Sequence, residues 1–413
     1  MIQSTPRAGG GQERPAPKLF SKLLVICASL IAIAGIAEIA LRIRTPDVVK
    51  SVRRAERSAT ADNCHALFTR DNTHVWRLAP NCTETSVERR NSEYTITIHS
   101  NNHGFRDYKD YRFGKSEGTV RVIVLGDSYT YGNGVEELGR YSNLLDDLLG
   151  ENVDVYNLAI SNHGLDEALL TLQSEGVRYD PDVIIVGFTG PMVDRLSRNA
   201  TSSLWGKPFF ELDKGVLKLR SQPSEKLVAV ESLLNKSYLW IFVTRRIFAI
   251  ISKLRPKDDT ARNAALAERI IEQFVEISRR TKSSLVFFTI NRRPMLAKER
   301  ATMEDVNHLL KKASRSGGFH FLDLYPVFRR SNYASLFYPI DGHYNVDGHI
   351  LVAEQLCRFL RSRDILPEKR IAPSCDVDEA AVYRSIEVLR RCSLNNTTKA
   401  LFPRGQCIPR QQR

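Results

Sequence analysis

Apolar and polar positions change rhythm along the chain, and the changes mark its elements. The first is Leu23–Leu41, "LLVICASLIAIAGIAEIAL", nineteen residues with Glu38 as the one charge. As a helix it would span about 28 Å, near the thickness of a hydrocarbon core. A cleaved secretory signal has a shorter apolar stretch and a small-residue cleavage site. This run ends in "RIRTP", so a retained anchor is expected. Further on, "YTITIHS" alternates as a half-buried strand, and "NNHGFRD" reads as a turn in which Gly104 supplies backbone freedom.

From Val120 a second rhythm begins. Short β-branched and apolar runs, "VRVIVLGD", "VDVYNLA", "PDVIIVGFT", "SLVFFTI" and "FHFLDLY", predict strands. Helical patterns fall between or after them: "RYSNLLDDLL", "DEALLTLQS", "AALAERIIEQFVEISRR", "MEDVNHLLKKAS" and "GHILVAEQLCRFLRS". Five strands with crossover helices predict an α/β fold with a doubly wound parallel sheet. An insertion over residues 190–261 interrupts the alternation. Within it, "FFELDKGVLKL" predicts a hairpin turned at Asp213-Lys214-Gly215. The apolar "SYLWIFVTRRIFAIISKL" predicts a packing helix, with a substrate lid or a bilayer-dipping surface as alternatives.

Composition narrows the class. With 42% apolar and 26% charged residues in 413, the chain can build a packed core. Its net charge of +13 could suit nucleic acid, but the basic residues are scattered among acids and no nucleic-acid-binding motif accompanies them. The charge is therefore read as a basic surface near a membrane, with no nucleic-acid partner. Basic residues before the apolar run (Arg7, Arg14, Lys18, Lys22) are outnumbered by those after it, so charge counting does not favour a cytoplasmic N-terminus. The cysteines point the other way. Six lie outside the apolar run, an even number that suits disulfides in an oxidising compartment. A Cys64–Cys82 pair is expected, because the two flank a short polar loop. No metal-ligand spacing is present.

In a doubly wound sheet, ligands bind beyond the carboxyl ends of the strands. That rule selects Ser128 after the first strand, Asn162 and Gly164 after the second, "GFTGPMVDR" after the third, and Asp341 and His343 in "PIDGHYNVDGH" before the last helix. Singly, Ser128 also reads as a helix cap, Asp341 as a turn residue and His343 as a surface histidine. Together, at one edge, they can converge as nucleophile, base and orienting acid. His349 is expected within the following helix in a structural role.

These stretches resemble the SGNH hydrolases, also called GDSL esterases and lipases, over about residues 97–362. The resemblance lies in "VLGDSYTYG", "NLAISNHG", "PDVIIVGF" and "DGHYNVDGHILVAEQL", with "NNHGFRD" as lead-in. It implies a flavodoxin-like three-layer α/β/α sandwich, with Ser128 as nucleophile, His343 as base and Asp341 as acid. It further implies oxyanion donors among Ser128, Gly164, Asn162 and Thr189. Here the chain departs from the family pattern: Asn162 stands five after Asn157, Gly164 lies two further on, and Pro191 occupies the place of the family's oxyanion Asn. The expected organisation is a basic tail (1–22), an anchor (23–41), a stalk and extension (42–96), a hydrolase-like domain (97–365) and a Cys-containing extension (366–413). The expected activity is cleavage of an acyl ester, on an envelope glycan or a lipid, by a periplasmic domain held at a bacterial inner membrane. No cofactor or metal is implied. A glycan- or partner-binding domain without turnover, or an O-acetyltransferase using the same triad, are the alternatives.

Overall fold

The computed structural model describes residues 18–44, 78–84, 93–196, 208–220, 234, 237–254, 259–292, 307–315, 317–366 and 374–395. The expected tail up to residue 17, most of the expected stalk, Cys64, Cys407 and the side chain of Cys392 lie outside them. The Cys64–Cys82 expectation falls there too, although Cys82 itself is disulfide-bonded. The described residues form two compact units. One holds helices Lys18–Arg44 and Tyr238–Leu254, and the other holds the remaining elements.

In chain order the strands are β1 (Thr83–Glu84), β2 (Ile98–His99), β3 (Val120–Leu125), β4 (Val153–Asn157), β5 (Val183–Phe188), β6 (Phe209–Asp213), β7 (Val216–Arg220), β8 (Ser284–Thr289) and β9 (His320–Leu322). Five of them form the main sheet in the order β4-β3-β5-β8-β9, each pair parallel. This is the flavodoxin-like order, whose switch point lies between β3 and β5.

The sheet is covered on both faces. Val122, Val124, Ile185, Val286 and Phe288 pack with helices Tyr141–Leu149 and Val346–Ser362. Ile123, Leu125, Ile184, Val186 and Phe287 pack with helices Leu165–Ser174 and Asp259–Thr281. Strands buried on both faces read as continuous apolar runs, which is how "VRVIVL" reads. The exception is Arg121, whose guanidinium lies 4.2 Å from the Tyr156 ring centroid and bonds to Asp154 Oδ2 and to the Arg112 and Tyr179 carbonyls.

The expected hairpin is β6–β7. Lys214 (φ 52°) and Gly215 (φ 81°) both take positive φ, as a two-residue turn of type I′ requires. The strand expected over "YTITIHS" is shorter than its alternation suggests: Ile98–His99 forms the strand, paired with β1, and Ser100 adds an isolated bridge to Arg106. The Thr97 N–H donates to Glu136 and the His99 N–H to Glu137, so carboxylates replace a ladder partner.

Just after that segment, Arg106 is fully buried. It donates to Glu137 Oε1 (2.7 Å) and to the carbonyls of Gly132 and Val135 (2.6 Å each). Burial works to raise the Glu137 carboxyl, but the Arg106 charge and the His99 contacts overcome it and hold it below the usual carboxylate range. The lead-in stretch thus braces the loop that follows Ser128.

Cys357, inside helix Val346–Ser362, is bonded to Cys375 at a sequence separation of 18. Closing a loop of that length contributes about 3 kcal/mol by constraining the unfolded chain. Cys375→Ser is expected to lower the thermal midpoint of the purified protein, and reductant, which also opens the Cys82 disulfide, to lower the wild-type midpoint at least as far. A variant melting like wild type under both conditions would refute this.

Candidate active site

β3 delivers Gly126-Asp127-Ser128 to the switch point. A Cβ at Gly126 would collide with the Thr130 side chain and the Gly187 carbonyl, so only glycine lets the chain turn here. Ser128 opens a four-residue helix, Ser128–Tyr131, that ends at Gly132 in the left-handed conformation (φ 84°). Asp127 caps that helix by accepting from the Tyr129 N–H. Its other oxygen accepts from Thr189 Oγ1 (2.7 Å) and Arg195 (3.2 Å). Asp127 is therefore a brace between the ends of β3 and β5. Asn157, at the end of β4, ties in the third strand: its amide donates to Thr130 O and Ser142 Oγ, both at 2.8 Å.

The loop before helix Val346–Ser362 carries the other two groups. His343 Nε2 lies 2.8 Å from Ser128 Oγ, and His343 Nδ1 lies 2.6 Å from Asp341 Oδ2. Ser128 and His343 are 215 positions apart in sequence. The Tyr129 ring sits 4.6 Å from the imidazole, centroid to centroid, and its hydroxyl donates to the Gly342 carbonyl (2.8 Å). The imidazole is thus fixed by bonds at both nitrogens and by a ring against its face.

Asp341 is held in turn by residues that sequence reasoning did not single out. Tyr94 Oη donates to Asp341 Oδ2 (3.0 Å). The Glu93 carboxylate accepts the Ile340 and Asp341 N–H groups, each at 2.6 Å. Glu93 and Tyr94 lie almost 250 positions away, in a segment whose sequence carries no chemical signature.

Ser128, Asp341 and His343 line a cavity of about 340 Å³, together with Asn162, Pro191, Arg195 and Arg292. Asn162 has φ 70°, a conformation that favours glycine, and it stands five after Asn157, where a family glycine would stand. The other two candidate donors are not brought into this lining. The Gly164 N–H donates to Glu167 Oε2 (2.8 Å) at the start of helix Leu165–Ser174, and Thr189 is buried with its hydroxyl on Asp127. Pro191 lines the cavity as the second residue of the short helix Gly190–Asp194 and offers no N–H. His349 lies in its helix, fully buried. Its Nδ1 accepts the Tyr141 N–H, and burial pushes its pKa down to about 3, so it is neutral. Among the described residues no cluster of His, Cys, Asp and Glu could hold a metal ion.

Residues 124–351 match the model of the GDSL-like lipase/acylhydrolase family. The chain belongs to the GDSL-like lipase/acylhydrolase family. It is accordingly an ester hydrolase. The match runs from the end of β3 into helix Val346–Ser362 and so contains Ser128, Asp341 and His343. No curated protein matches the chain. Similar solved structures include TesA, at 12% identity and a TM-score of 0.38, over 60% of this chain and 99% of that one. A lipase/acylhydrolase from Enterococcus faecalis shows 13% identity and a TM-score of 0.36, over 59% and 97%. The acetyl xylan esterase AlAXEase shows 12% identity and a TM-score of 0.39, over 58% and 100%. At these scores the family assignment rests on the 124–351 match.

Proposed function

We propose that this family member is a membrane-anchored serine esterase whose nucleophile is Ser128. The observation that carries the reading is the unbroken chain from Ser128 Oγ through both ring nitrogens of His343 to Asp341, at 2.8 and 2.6 Å. Ser128 Oγ attacks the ester carbonyl while His343 Nε2 takes its proton. The imidazolium gives that proton to the departing alkoxide and leaves an acyl-Ser128 ester. Water, deprotonated by the same nitrogen, then hydrolyses it. Asp341 holds the tautomer with the proton on Nδ1 and balances the transient positive charge. The Ser128 N–H and Asn162 are the oxyanion donors in this scheme, since Gly164 and Thr189 are engaged elsewhere. One missing donor costs about 10²–10³ in rate, so Pro191 marks this as a slower esterase than one with the full set.

The cavity lining favours a short acyl group on a polar acceptor. Asp127, Asp194, Arg195 and Arg292 face it, and among the described lining residues the apolar side chains are Tyr129 and Pro191. An O-acyl group on a glycan fits such walls better than a long-chain lipid ester. The Leu24–Arg44 segment is long and apolar enough to cross a membrane, and in this reading it is the single anchor in a bacterial inner membrane. The Cys357–Cys375 disulfide supports a periplasmic hydrolase domain, over residues 97–365 with the Cys-containing extension behind it.

The test is hydrolysis of p-nitrophenyl acetate and p-nitrophenyl octanoate by the detergent-purified protein, with labelling by a fluorophosphonate and peptide mapping of the adduct. Preference for acetate and an adduct on Ser128 are expected. An adduct elsewhere, or none in a folded active protein, would refute the nucleophile.

Tyr94 offers a finer test. Tyr94→Phe removes one donor to Asp341, and a hydrogen bond of that kind is worth about 1 kcal/mol or somewhat more. A loss of about tenfold in kcat is expected, with KM and thermal midpoint unchanged. A rise in KM with kcat preserved would show that Tyr94 shapes the cavity instead of positioning the acid.

A further inference from the structure

We propose that helix Tyr238–Leu254 lies in the plane of the lipid headgroup boundary, fastened at its N-terminus to the anchor helix by Glu38. The proposal rests on the reading of Leu24–Arg44 as a membrane span. Glu38 is the one acid in that apolar run, and an acid in such a segment needs partners because hydrocarbon offers none. It has four. Oε1 accepts from the Tyr238 N–H (2.9 Å) and Arg42 Nε (2.9 Å), and Oε2 from Ser237 Oγ (2.9 Å) and the Leu239 N–H (2.8 Å). The first turn of helix Tyr238–Leu254 contains no acid of its own. Its unsatisfied N–H groups and positive dipole end are met by a carboxylate from another helix.

This contact sets a depth. Glu38 stands six residues before Arg44, the end of the anchor helix, which is about 9 Å along a helix axis. Interfacial helices bury their apolar face about 5–10 Å into the headgroup and acyl boundary. Helix Tyr238–Leu254 thus starts at the depth such a helix occupies. Arg42, which also stands over the Tyr238 ring at 5.0 Å, marks the headgroup side.

The sequence of the helix suits that position. At about 100° per residue, Leu239, Trp240, Val243, Ile247 and Ile250 share one sector of about 100°. Val243, Ile247 and Ile250 are 40, 50 and 57% exposed, although the same helix buries Ile241. Thr244 lies off the apolar sector, and Arg246 flanks its edge beside Leu239 and folds back over the Phe242 ring at 5.3 Å. A spanning helix would have to carry the mid-helix pair Arg245-Arg246 through hydrocarbon, whereas an interfacial one turns its basic side to phosphates. Ile31, Ile36 and Ile39 of the anchor are exposed as well, and in the reading of that helix as a span lipid covers them, so lipid is the occupant for the helix fastened beside it.

Trp240 lies in the apolar sector and is the natural probe. The full chain carrying Trp76→Phe and Trp205→Phe keeps Trp240 as its one tryptophan. It would be reconstituted in phosphatidylcholine vesicles bearing bromine either near the headgroup or near the acyl chain end. Shallow bromines are expected to quench Trp240 more than deep ones, and aqueous acrylamide to quench it weakly. Adding Ile247→Glu with Ile250→Glu is expected to abolish the bromolipid quenching, with esterase activity in the same sample reporting that the hydrolase remains folded. Glu38→Ala is expected to reduce the shallow quenching, and an unchanged value would overturn the fastening.

Retention in the vesicles after alkaline carbonate, with Trp240 open to acrylamide and not to bromolipid, would overturn the interfacial helix alone. Dominant deep quenching would also overturn it, in favour of a spanning helix. A crosslinked dimer with Trp240 shielded from both quenchers would overturn it in favour of a second copy as the occupant. Release by carbonate would instead overturn the anchor reading, and the proposal with it.

Discussion

Ser128→Ala is expected to lower kcat for p-nitrophenyl acetate by about 10⁴- to 10⁶-fold. The replacement removes the attacking oxygen and leaves the rest of the site in place. Asp127 still caps the short helix, Tyr129 still packs on His343, and Asn162 still lines the cavity. Ser128 is 8% exposed, and its hydroxyl bonds to His343, so alanine leaves no large void and folding should survive. Binding should survive as well, because the cavity walls are unchanged. The expected signature is therefore a collapse in kcat, with the thermal midpoint and the affinity for a non-hydrolysable ester analogue close to wild type. Loss of the initial burst of p-nitrophenol would separate loss of acylation from slow deacylation. If the folded variant kept activity within tenfold of wild type, Ser128 would be only the helix residue that its local sequence also allows. Turnover would then have to come from water activated directly by His343.

The contrast between what the sequence disclosed and what it concealed follows from range. The sheet was legible because burial on both faces writes long apolar runs, as in Val122–Leu125, and because crossover helices impose their own period between them. The convergence of Ser128 and His343 was legible because a doubly wound sheet brings the ends of its strands to one edge, so the two could be placed together from opposite ends of the fold. The supports of the site were not legible. Tyr94 and Glu93 act through a single hydroxyl and a single carboxylate across nearly 250 residues, and no periodicity records such contacts. The donors were ambiguous for a related reason. Asn162 and Gly164 both sit in a turn, and the sequence does not say which of them takes positive φ or whose N–H a Glu167 side chain captures. Glu38 stood out as the one charge in an apolar run, but its partner, a helix start about 200 residues later, was visible only in three dimensions.

Asp341→Asn should lower kcat by about 10⁴-fold, nearly as severely as removal of the nucleophile, although the new side chain is almost the same size. The reason is donor and acceptor arithmetic. As a carboxylate, Asp341 accepts at Oδ2 from both His343 Nδ1 and Tyr94 Oη. An Asn carbonyl oxygen in that place keeps both bonds, because the Nδ1–H and the Tyr94 hydroxyl donate to the same atom. Where the amide N–H₂ faces Nδ1 instead, the imidazole must accept there and so carries its proton on Nε2. That proton points at Ser128 Oγ, and the base is gone while every heavy atom remains within hydrogen-bond reach. The charge that balances the imidazolium is lost in either orientation. Combining Asp341→Asn with Tyr94→Phe separates the two effects, because it removes the hydroxyl that favours the orientation with the amide oxygen at Nδ1. A further loss of kcat in the double variant, larger than Tyr94→Phe causes alone, would assign part of the effect to the tautomer, and no such excess would assign it to the missing charge. A single variant with near wild-type kcat would remove Asp341 from the mechanism and leave His343 oriented by the Tyr129 ring alone.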